Sequence, residues 1–125
     1  MPHKAGSPED RDRLLHMLEA AEDAVRFATN RTREDLDGDR MFLRALFQCI
    51  EVIGEAASRT SSEGRARIPG MPWREIIKMR NILVHVYWGI DRDRVWDTVR
   101  GDLPALVTAI RTALAAWPDD QNQEK

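Results

Sequence analysis

Hydrophobic residues recur at helical spacing over most of the chain. From about residue 10 to residue 28, Leu, Ala, Met and Val positions return every three or four residues, with charged residues between them, which is typical of an amphipathic helix. Ser7 or Asp10 can cap the start of this helix, and Pro8 suits its first turn. The stretch over residues 30–39 is too polar to continue the apolar stripe, so we predict that it forms a connection.

A second helix is predicted over about residues 39–59, and its apolar side chains cover most of the circumference. That distribution is typical of a helix at the centre of a bundle, packed on several sides. Within it, Cys49 is most simply a small buried hydrophobe. Gly54 weakens the helix locally but can allow another helix to cross closely.

One narrow stripe of this second helix is polar, and it consists of Arg44, Gln48, Glu51 and Glu55. Spacings of four, three and four residues place these side chains on one face of the helix. The stripe is either a solvated surface or the wall of a polar cleft, and the pattern leaves both interpretations open.

A third helix is predicted after a loop. Residues 60–71 hold the serines, glycines and proline expected of a loop. Pro72 suits the first turn of a helix that runs from Trp73 to about residue 87. Gly89 is a good terminator for that helix.

The last helical region begins where Asp91 can cap a helix. Gly101 and Pro104 are predicted to break or kink it, and its apolar stripe resumes as far as Trp117. The prediction is therefore an all-α fold, an antiparallel four-helix-type bundle with an interrupted last helix. Ala, Leu, Arg and Glu dominate the sequence, which disfavours strands.

Composition adds limits to this picture. A chain of 125 residues and 42% hydrophobic content fits one domain over residues 1–125, with polar tails at about 1–7 and 118–125. No apolar run approaches the ~18 residues of a transmembrane helix, and no apolar stretch near the N-terminus resembles a secretory signal. A single cysteine cannot form an internal disulfide or a thiolate metal cage, so we expect a cytoplasmic protein without a membrane partner.

The net charge of −2 is unevenly distributed. Residues 1–58 carry 8 Lys/Arg against 12 Asp/Glu, whereas residues 59–100 carry 9 against 5, a local charge of +4. Such a basic middle third can favour an anionic partner such as phosphate or nucleic acid. An ordinary arginine-rich solvated face explains the same distribution equally well.

Most signatures of catalysis are absent from the sequence. It has no phosphate-binding glycine loop, no nucleophile elbow and no His-Glu-x-x-His zinc motif. The three histidines, His3, His16 and His85, are far apart, and the first two are most simply incidental. We therefore expect neither a metal nor a cofactor.

The informative stretch is residues 72–91, where Arg80, Asn81, His85 and Tyr87 follow a largely apolar helix. Asn81 and His85 are four residues apart, so Asn81 can orient the imidazole. Arg80 and His85 would lie roughly 140° apart on a regular helix. If they act together, the helix distorts between them or a second chain completes the site. The alternative is a capping arginine and a histidine satisfied within the fold.

Arg80-Asn81-x-x-x-His85-x-Tyr87 resembles the Arg-x4-His-x-Tyr motif of HEPN-domain toxins of the HepT-like type. The resemblance extends over roughly residues 10–117. The flanking segments that share it are Ile53-Gly54-Glu55-Ala56, Pro72-Trp73, Gly89-Ile90-Asp91, Val95-Trp96 and Asp102-Leu103-Pro104-x-Leu106.

The resemblance implies a helical bundle that forms a homodimer with both motifs facing a shared cleft. It further implies a metal-independent endoribonuclease that is the toxin partner of a small nucleotidyltransferase antitoxin. By this resemblance Arg80 and His85 would be catalytic and Asn81 a supporting residue. Tyr87 would be the site that the antitoxin adenylylates.

Those residue types suit RNA cleavage, because RNA supplies its own nucleophile in the 2′-OH. A histidine with a pKa near ~6.5 can transfer protons at neutral pH, and arginine offers a permanently charged fork to phosphate oxygens. A non-catalytic subunit that binds a nucleotide or a nucleotidyltransferase would need the same basic groups, and a purely structural dimerisation bundle is a third hypothesis.

Overall fold

The computed structural model describes residues 8–82, 84–85 and 89–118. The side chains of residues 80, 82, 84 and 85 lie outside this description. In chain order the elements are α1 (Pro8–Ala28), α2 (Asp35–Gly38), α3 (Arg40–Ser58), α4 (Ser62–Ala66), α5 (Trp73–Ile82), β1 (Val84–His85), β2 (Gly89–Ile90), α6 (Arg92–Asp97), a π-helical segment (Thr98–Asp102) and α7 (Leu103–Ala115).

Helix α3 lies at the centre, as its apolar circumference predicted. Leu46, Ile50 and Ile53 are fully buried on it, and burying each such side chain stabilises the fold by roughly 1.5–3 kcal/mol. The core around α3 is completed by α1, α5 and α7, and its other fully buried large side chains are Leu14, Met17, Leu36, Val95, Val99, Leu103 and Ile110. Within the described residues no helix is long and apolar enough to cross a bilayer.

Contacts at the helix ends show that the four main helical runs alternate in direction. The start of α1 meets the segment after α3 through Asp10 and Ser61. The indole Nε1 of Trp73 donates to the Arg65 carbonyl 3.2 Å away, so α5 begins beside the C-terminal end of α3. Further along the chain Trp96 packs edge-on against Phe42, near the start of α3. The predicted antiparallel all-α bundle is confirmed.

Asp10 connects two helices instead of capping α1. It is the third residue of α1 and is only 2% exposed, and its carboxylate accepts hydrogen bonds from the backbone N–H of Ser61 at 2.9 Å and from the Ser61 hydroxyl. The same Ser61 oxygen accepts from the Gly64 N–H at 3.1 Å and so caps α4. Ser7, the other predicted cap, lies outside the described residues.

Two segments that were predicted as connections contain short helices. The polar stretch before α3 forms α2, which buries Leu36, and the loop after α3 forms α4. Neither has the repeated apolar spacing that reveals a longer helix in a sequence. Asp39 then caps α3 by accepting from the Phe42 N–H at 3.0 Å, and its other carboxylate oxygen accepts from Arg31 at 2.9 Å. The hydrogen bond from the Phe42 N–H is the larger cause, and the one from Arg31 the second, of a pKa of Asp39 below its ordinary value.

The prediction that the third helix continues to about residue 87 is wrong. Helix α5 ends at Ile82, and Val84 and His85 then pair antiparallel with Ile90 and Gly89. Gly89 has φ +83°, a conformation that residues with a Cβ rarely adopt. Val and Ile favour strands because their branched side chains are stiff. The angle of a regular helix therefore does not relate Arg80 to His85, and Tyr87 lies outside the described residues.

The interruption of the last helix is a change of helical register rather than a break. Helix α6, the π-helical segment and α7 follow one another directly. Gly101 lies in the π-helical segment, and Pro104 lies in the first turn of α7. A π turn places the hydrogen-bond acceptor five residues back, which relieves the clash that a proline ring makes with the carbonyl four residues before it.

Cys49 is buried, as predicted for a small hydrophobe. Burial, and secondarily the negative charge of Asp23, raises the pKa of its thiol to about 11. At pH 7.5 we expect iodoacetamide to label native Cys49 roughly 100-fold more slowly than the same cysteine in urea, because only the thiolate reacts. Intact mass over time measures this rate, and equal rates in both conditions would contradict the buried position.

Candidate functional site

Helix α5 carries the start of the motif. Its inner face buries Ile76 and half-buries Trp73, Ile77 and Met79 against the core. Its outer face exposes Arg74, Glu75, Lys78 and Asn81. The motif thus begins on a helix whose inner face is fixed by packing.

The four motif residues do not share one element. Arg80 and Asn81 lie in the last turn of α5, and Asn81 is exposed. His85 lies in β1, where its backbone pairs with Gly89. Tyr87 lies outside the described residues, as do the side chains of Arg80 and His85. Because the helix ends between Arg80 and His85, the angular separation expected on a regular helix does not apply to them.

The chain that follows the motif is held by ion pairs to Arg33 and to Asp37 in α2. Asp91 caps α6 by accepting from the Arg94 N–H at 3.1 Å. The Asp93 carboxylate accepts a hydrogen bond from Arg33 Nε at 2.6 Å. Arg92 Nε lies 3.7 Å from Asp37 Oδ1. Exposed ion pairs of this kind contribute little individually, but together they fix where α6 starts and so where the hairpin strand β2 ends.

An apolar cavity of about 680 Å³ lies between α5 and the last helical run. Ile76 and Met79 line it from α5, so it reaches the residue before Arg80. Glu75, Arg94, Asp97 and Asp102 are charged residues in its lining. Gly101 also lines it, and a Cβ added there would meet nothing within 4 Å. No pattern in the sequence predicted this cavity, and Gly101, which interrupts the last helical region, is the signal that could have indicated it.

A second, polar cleft of about 400 Å³ lies between α1 and α3. Gln48, Glu51 and Glu55 of the polar stripe line it. Because Gln48 is exposed, this part of the stripe is at once a solvated surface and the wall of an open cleft. Arg44 is exposed and is not among the lining residues. The other lining residues are Arg13, His16, Val52, Ala56 and Arg59. His16, which was predicted to be incidental, therefore lies in a cleft.

Charges in the polar cleft are only partly compensated. Arg59 pairs with Glu55 at 3.0 Å. Arg13 Nε is buried and has no hydrogen-bond partner in the part of the chain that the structure describes. In the same part of the chain, no three His, Cys, Asp or Glu side chains are grouped as metal ligands.

Comparison with known proteins identifies relatives. The family model described as "Ribonuclease HepT-like" matches residues 17–113. A protein of Thermococcus cleftensis named "Probable ribonuclease HepT" is 34% identical over 96 residues, which cover 77% of this chain and 87% of the relative. No solved structure matches the chain significantly.

Two further relatives agree with this match. A "Putative RNase" of Methanocaldococcus jannaschii is 33% identical over 93 residues, which cover 74% of this chain and 85% of the relative. Another, from Caldanaerobacter subterraneus subsp. tengcongensis, is 31% identical over 101 residues, which cover 81% of this chain and 90% of the relative. The motif order, the helical bundle and these matches together show that the chain belongs to the HepT-like ribonuclease family.

Proposed function

We propose that this protein is a metal-independent endoribonuclease and acts in the cytoplasm as the toxin of a toxin–antitoxin pair. Its partner would be a small nucleotidyltransferase antitoxin, and no cofactor would be needed. The observation that carries the proposal is the order of Arg80, Asn81, His85 and Tyr87 in the sequence, a motif that begins in the last turn of α5, in a chain of the HepT-like family.

In the proposed reaction the 2′-OH of the substrate attacks the adjacent phosphorus. The O2′–P bond forms and the P–O5′ bond breaks, which gives a 2′,3′-cyclic phosphate and a 5′-OH. His85 would take the proton of the 2′-OH or deliver one to the leaving 5′ oxygen. Arg80 would stabilise the negative charge that develops on the phosphate oxygens, and Asn81 would orient the imidazole.

The end of α5 before His85 supports this assignment. On a continuous helix Arg80 and His85 would face different directions. With Arg80 on α5 and His85 on β1, a change of backbone direction separates them, so both can serve one phosphate. Asn81 is exposed beside them, which suits a cleft open to RNA.

The experiment is incubation of the purified protein with a fluorescent single-stranded RNA, with and without EDTA. We expect cleavage at equal rates in both, with products that end in a 2′,3′-cyclic phosphate by mass spectrometry. A 2′-O-methyl oligonucleotide of the same sequence is the matched control and should stay intact. Cleavage that EDTA abolishes would refute metal independence.

We expect the protein to be a homodimer in solution, with the two motifs near its two-fold axis. This expectation rests on the family resemblance alone. On a regular helix, Arg80 and His85 would have needed a second chain to act together, but α5 ends at Ile82, so that reason no longer applies. Sedimentation velocity at micromolar concentrations measures it. A fully active monomer would contradict the shared cleft.

Tyr87 is the proposed site of silencing by adenylylation. An AMP group there would add a bulky anion to the motif and repel RNA. We expect Tyr87→Phe to cleave RNA nearly as well as wild type and to resist neutralisation by the co-expressed nucleotidyltransferase. Intact mass is the readout. An AMP adduct that persists in Tyr87→Phe would refute the site, and the absence of any adduct on wild type would favour inhibition by direct binding.

A non-catalytic binding subunit is the alternative function. The apolar cavity of about 680 Å³ beside Met79 supports it, because cavities of this size and lining suit a ligand or a partner side chain. This alternative predicts a stable complex with the nucleotidyltransferase and no RNA cleavage under any condition. Cleavage by the isolated protein would exclude it.

A further inference from the structure

We propose that the polar cleft between α1 and α3 binds a nucleoside phosphate as one unit of an RNA strand, outside the cleavage motif. The choice of RNA rests on the proposed function, whereas the cleft itself rests on the side chains that line it. These are Arg13, His16, Gln48, Glu51, Glu55 and Arg59.

Arg13 is the strongest indication of an anionic ligand. Its Nε is buried without a hydrogen-bond partner among the described residues, and a buried donor left unpaired destabilises the fold. The Nε has almost no accessible surface of its own, so a phosphate in the cleft that Arg13 lines would pair with the terminal guanidinium nitrogens, and with the Nε after a shift of the side chain. Guanidinium groups pair with phosphate oxygens in such two-bond geometry. Arg59 and His16, on the same cleft, can add a second and a third donor.

The remaining polar groups suit the base of the same ligand. Gln48 and Glu51 line the cleft, and neither forms a side-chain hydrogen bond or ion pair within the described residues. An amide and a carboxylate can both accept from the exocyclic amines of a base, and a glutamine at position 51 would keep that acceptor without the charge. Glu55 is already neutralised by Arg59 at 3.0 Å, so the cleft is less acidic than its composition indicates. A volume of about 400 Å³ lies within the range of small-ligand sites.

The cleft and the motif lie at similar heights in the bundle. Helix α5 starts beside the C-terminal end of α3 and runs back along it. Arg80 is seven residues into that run, or about 10 Å at 1.5 Å per residue, which reaches the level of Glu51 to Glu55. The proposal requires an RNA strand cut at the motif to reach this level of the bundle with another of its nucleotides.

The test is equilibrium binding of a labelled 12-nucleotide 2′-O-methyl RNA, which cannot be cleaved, over a series of salt concentrations. We expect Arg13→Gln to weaken binding about tenfold and to lower the slope of log Kd against log salt by about 0.7, which corresponds to one phosphate contact. Arg11→Gln is the matched control. It removes the same charge from the same helix at an exposed position about 200° away, and should change Kd less than twofold.

A variant that should strengthen RNA binding keeps the test decisive if Arg13→Gln does not fold. Glu51→Gln removes a negative charge from the cleft and should tighten binding about twofold to fivefold. If Arg13→Gln loses its helical circular dichroism, Glu51→Gln decides the matter, and unchanged or weaker binding would overturn the proposal. Equal effects of Arg13→Gln and Arg11→Gln would overturn it as well.

Binding of free AMP and of inorganic phosphate shows whether the cleft takes a free phosphate compound or one unit of an RNA strand. We expect AMP to bind far more weakly than the oligonucleotide, and AMP affinity equal to that of the oligonucleotide would overturn the assignment to a strand. RNA cleavage by wild type without any dependence of binding on Arg13 would refute this cleft alone. Binding that depends on Arg13, without any cleavage, would refute the catalytic proposal alone.

Discussion

His85→Ala should lower RNA cleavage by about 10²–10⁴-fold, the usual contribution of a general acid or base. Arg80→Ala should cause a loss of similar size, because Arg80 is the group proposed to stabilise the charge of the phosphorane. Both variants should keep the helical content of wild type, and a loss of that content would show a structural role instead of a catalytic one. Initial rates on the fluorescent RNA, with circular dichroism on the same samples, measure these effects.

Conservative variants separate chemistry from structure at the same positions. His85→Gln keeps a polar side chain but cannot titrate, so it should be as inactive as His85→Ala. Arg80→Lys keeps the charge but loses the guanidinium fork, so it should retain partial activity. Arg74→Ala is the matched control, because Arg74 is exposed on the same helix, outside the motif. Wild-type activity in His85→Gln would exclude proton transfer by this residue.

Gly64→Ala should destabilise the fold by about 2–4 kcal/mol, which combines overpacking with the loss of hydrogen bonds to a charged group. A Cβ at position 64 would lie 2.5 Å from Asp10 Cγ and 2.7 Å from Asp10 Oδ2, closer than atoms approach. The carboxylate would have to leave Ser61, to which it is bonded. In an open helical position the same substitution would instead be favourable by up to about 1 kcal/mol.

Thermal and urea denaturation measure this effect, with Gly38→Ala as the matched control. A Cβ at Gly38 would meet nothing within 4 Å, so that variant should be as stable as wild type or slightly more stable. In an Asp10→Ala background the cost of Gly64→Ala should largely disappear, because the clashing side chain is gone. An unchanged Tm for Gly64→Ala alone would show that Asp10 does not pack on α4.

The sequence predicted the main helices because their signals are local. Apolar spacing of three or four residues marks α1, α3 and α7, and Asp39 and Asp91 were recognisable as the starts of helices because a short acceptor side chain caps the helix that follows. The family was also evident from sequence, since the motif depends on residue types and spacing alone.

The end of α5 could not be predicted in this way. Residues 84–90 contain both helix-compatible apolar spacing and the β-branched residues of strands, and the pairing of Val84 with Ile90 decides between them. That pairing joins two segments of the chain. The pairing uses Gly89 at φ +83°. The ion pairs Arg33–Asp93 and Arg92–Asp37 hold the start of α6, which follows the second strand.

By itself, the sequence determined an all-α bundle and membership of the HepT-like family, because periodicity and motif order are properties of neighbouring residues. Tertiary structure alone decided that Asp10 binds Ser61, 51 residues away, and that His16 and Arg13 meet Gln48 and Glu51 in one cleft. Such contacts depend on the rotation and axial offset of one helix against another. Those are set by the packing of buried side chains such as Leu14, Leu46 and Ile50, and no spacing within one helix records them.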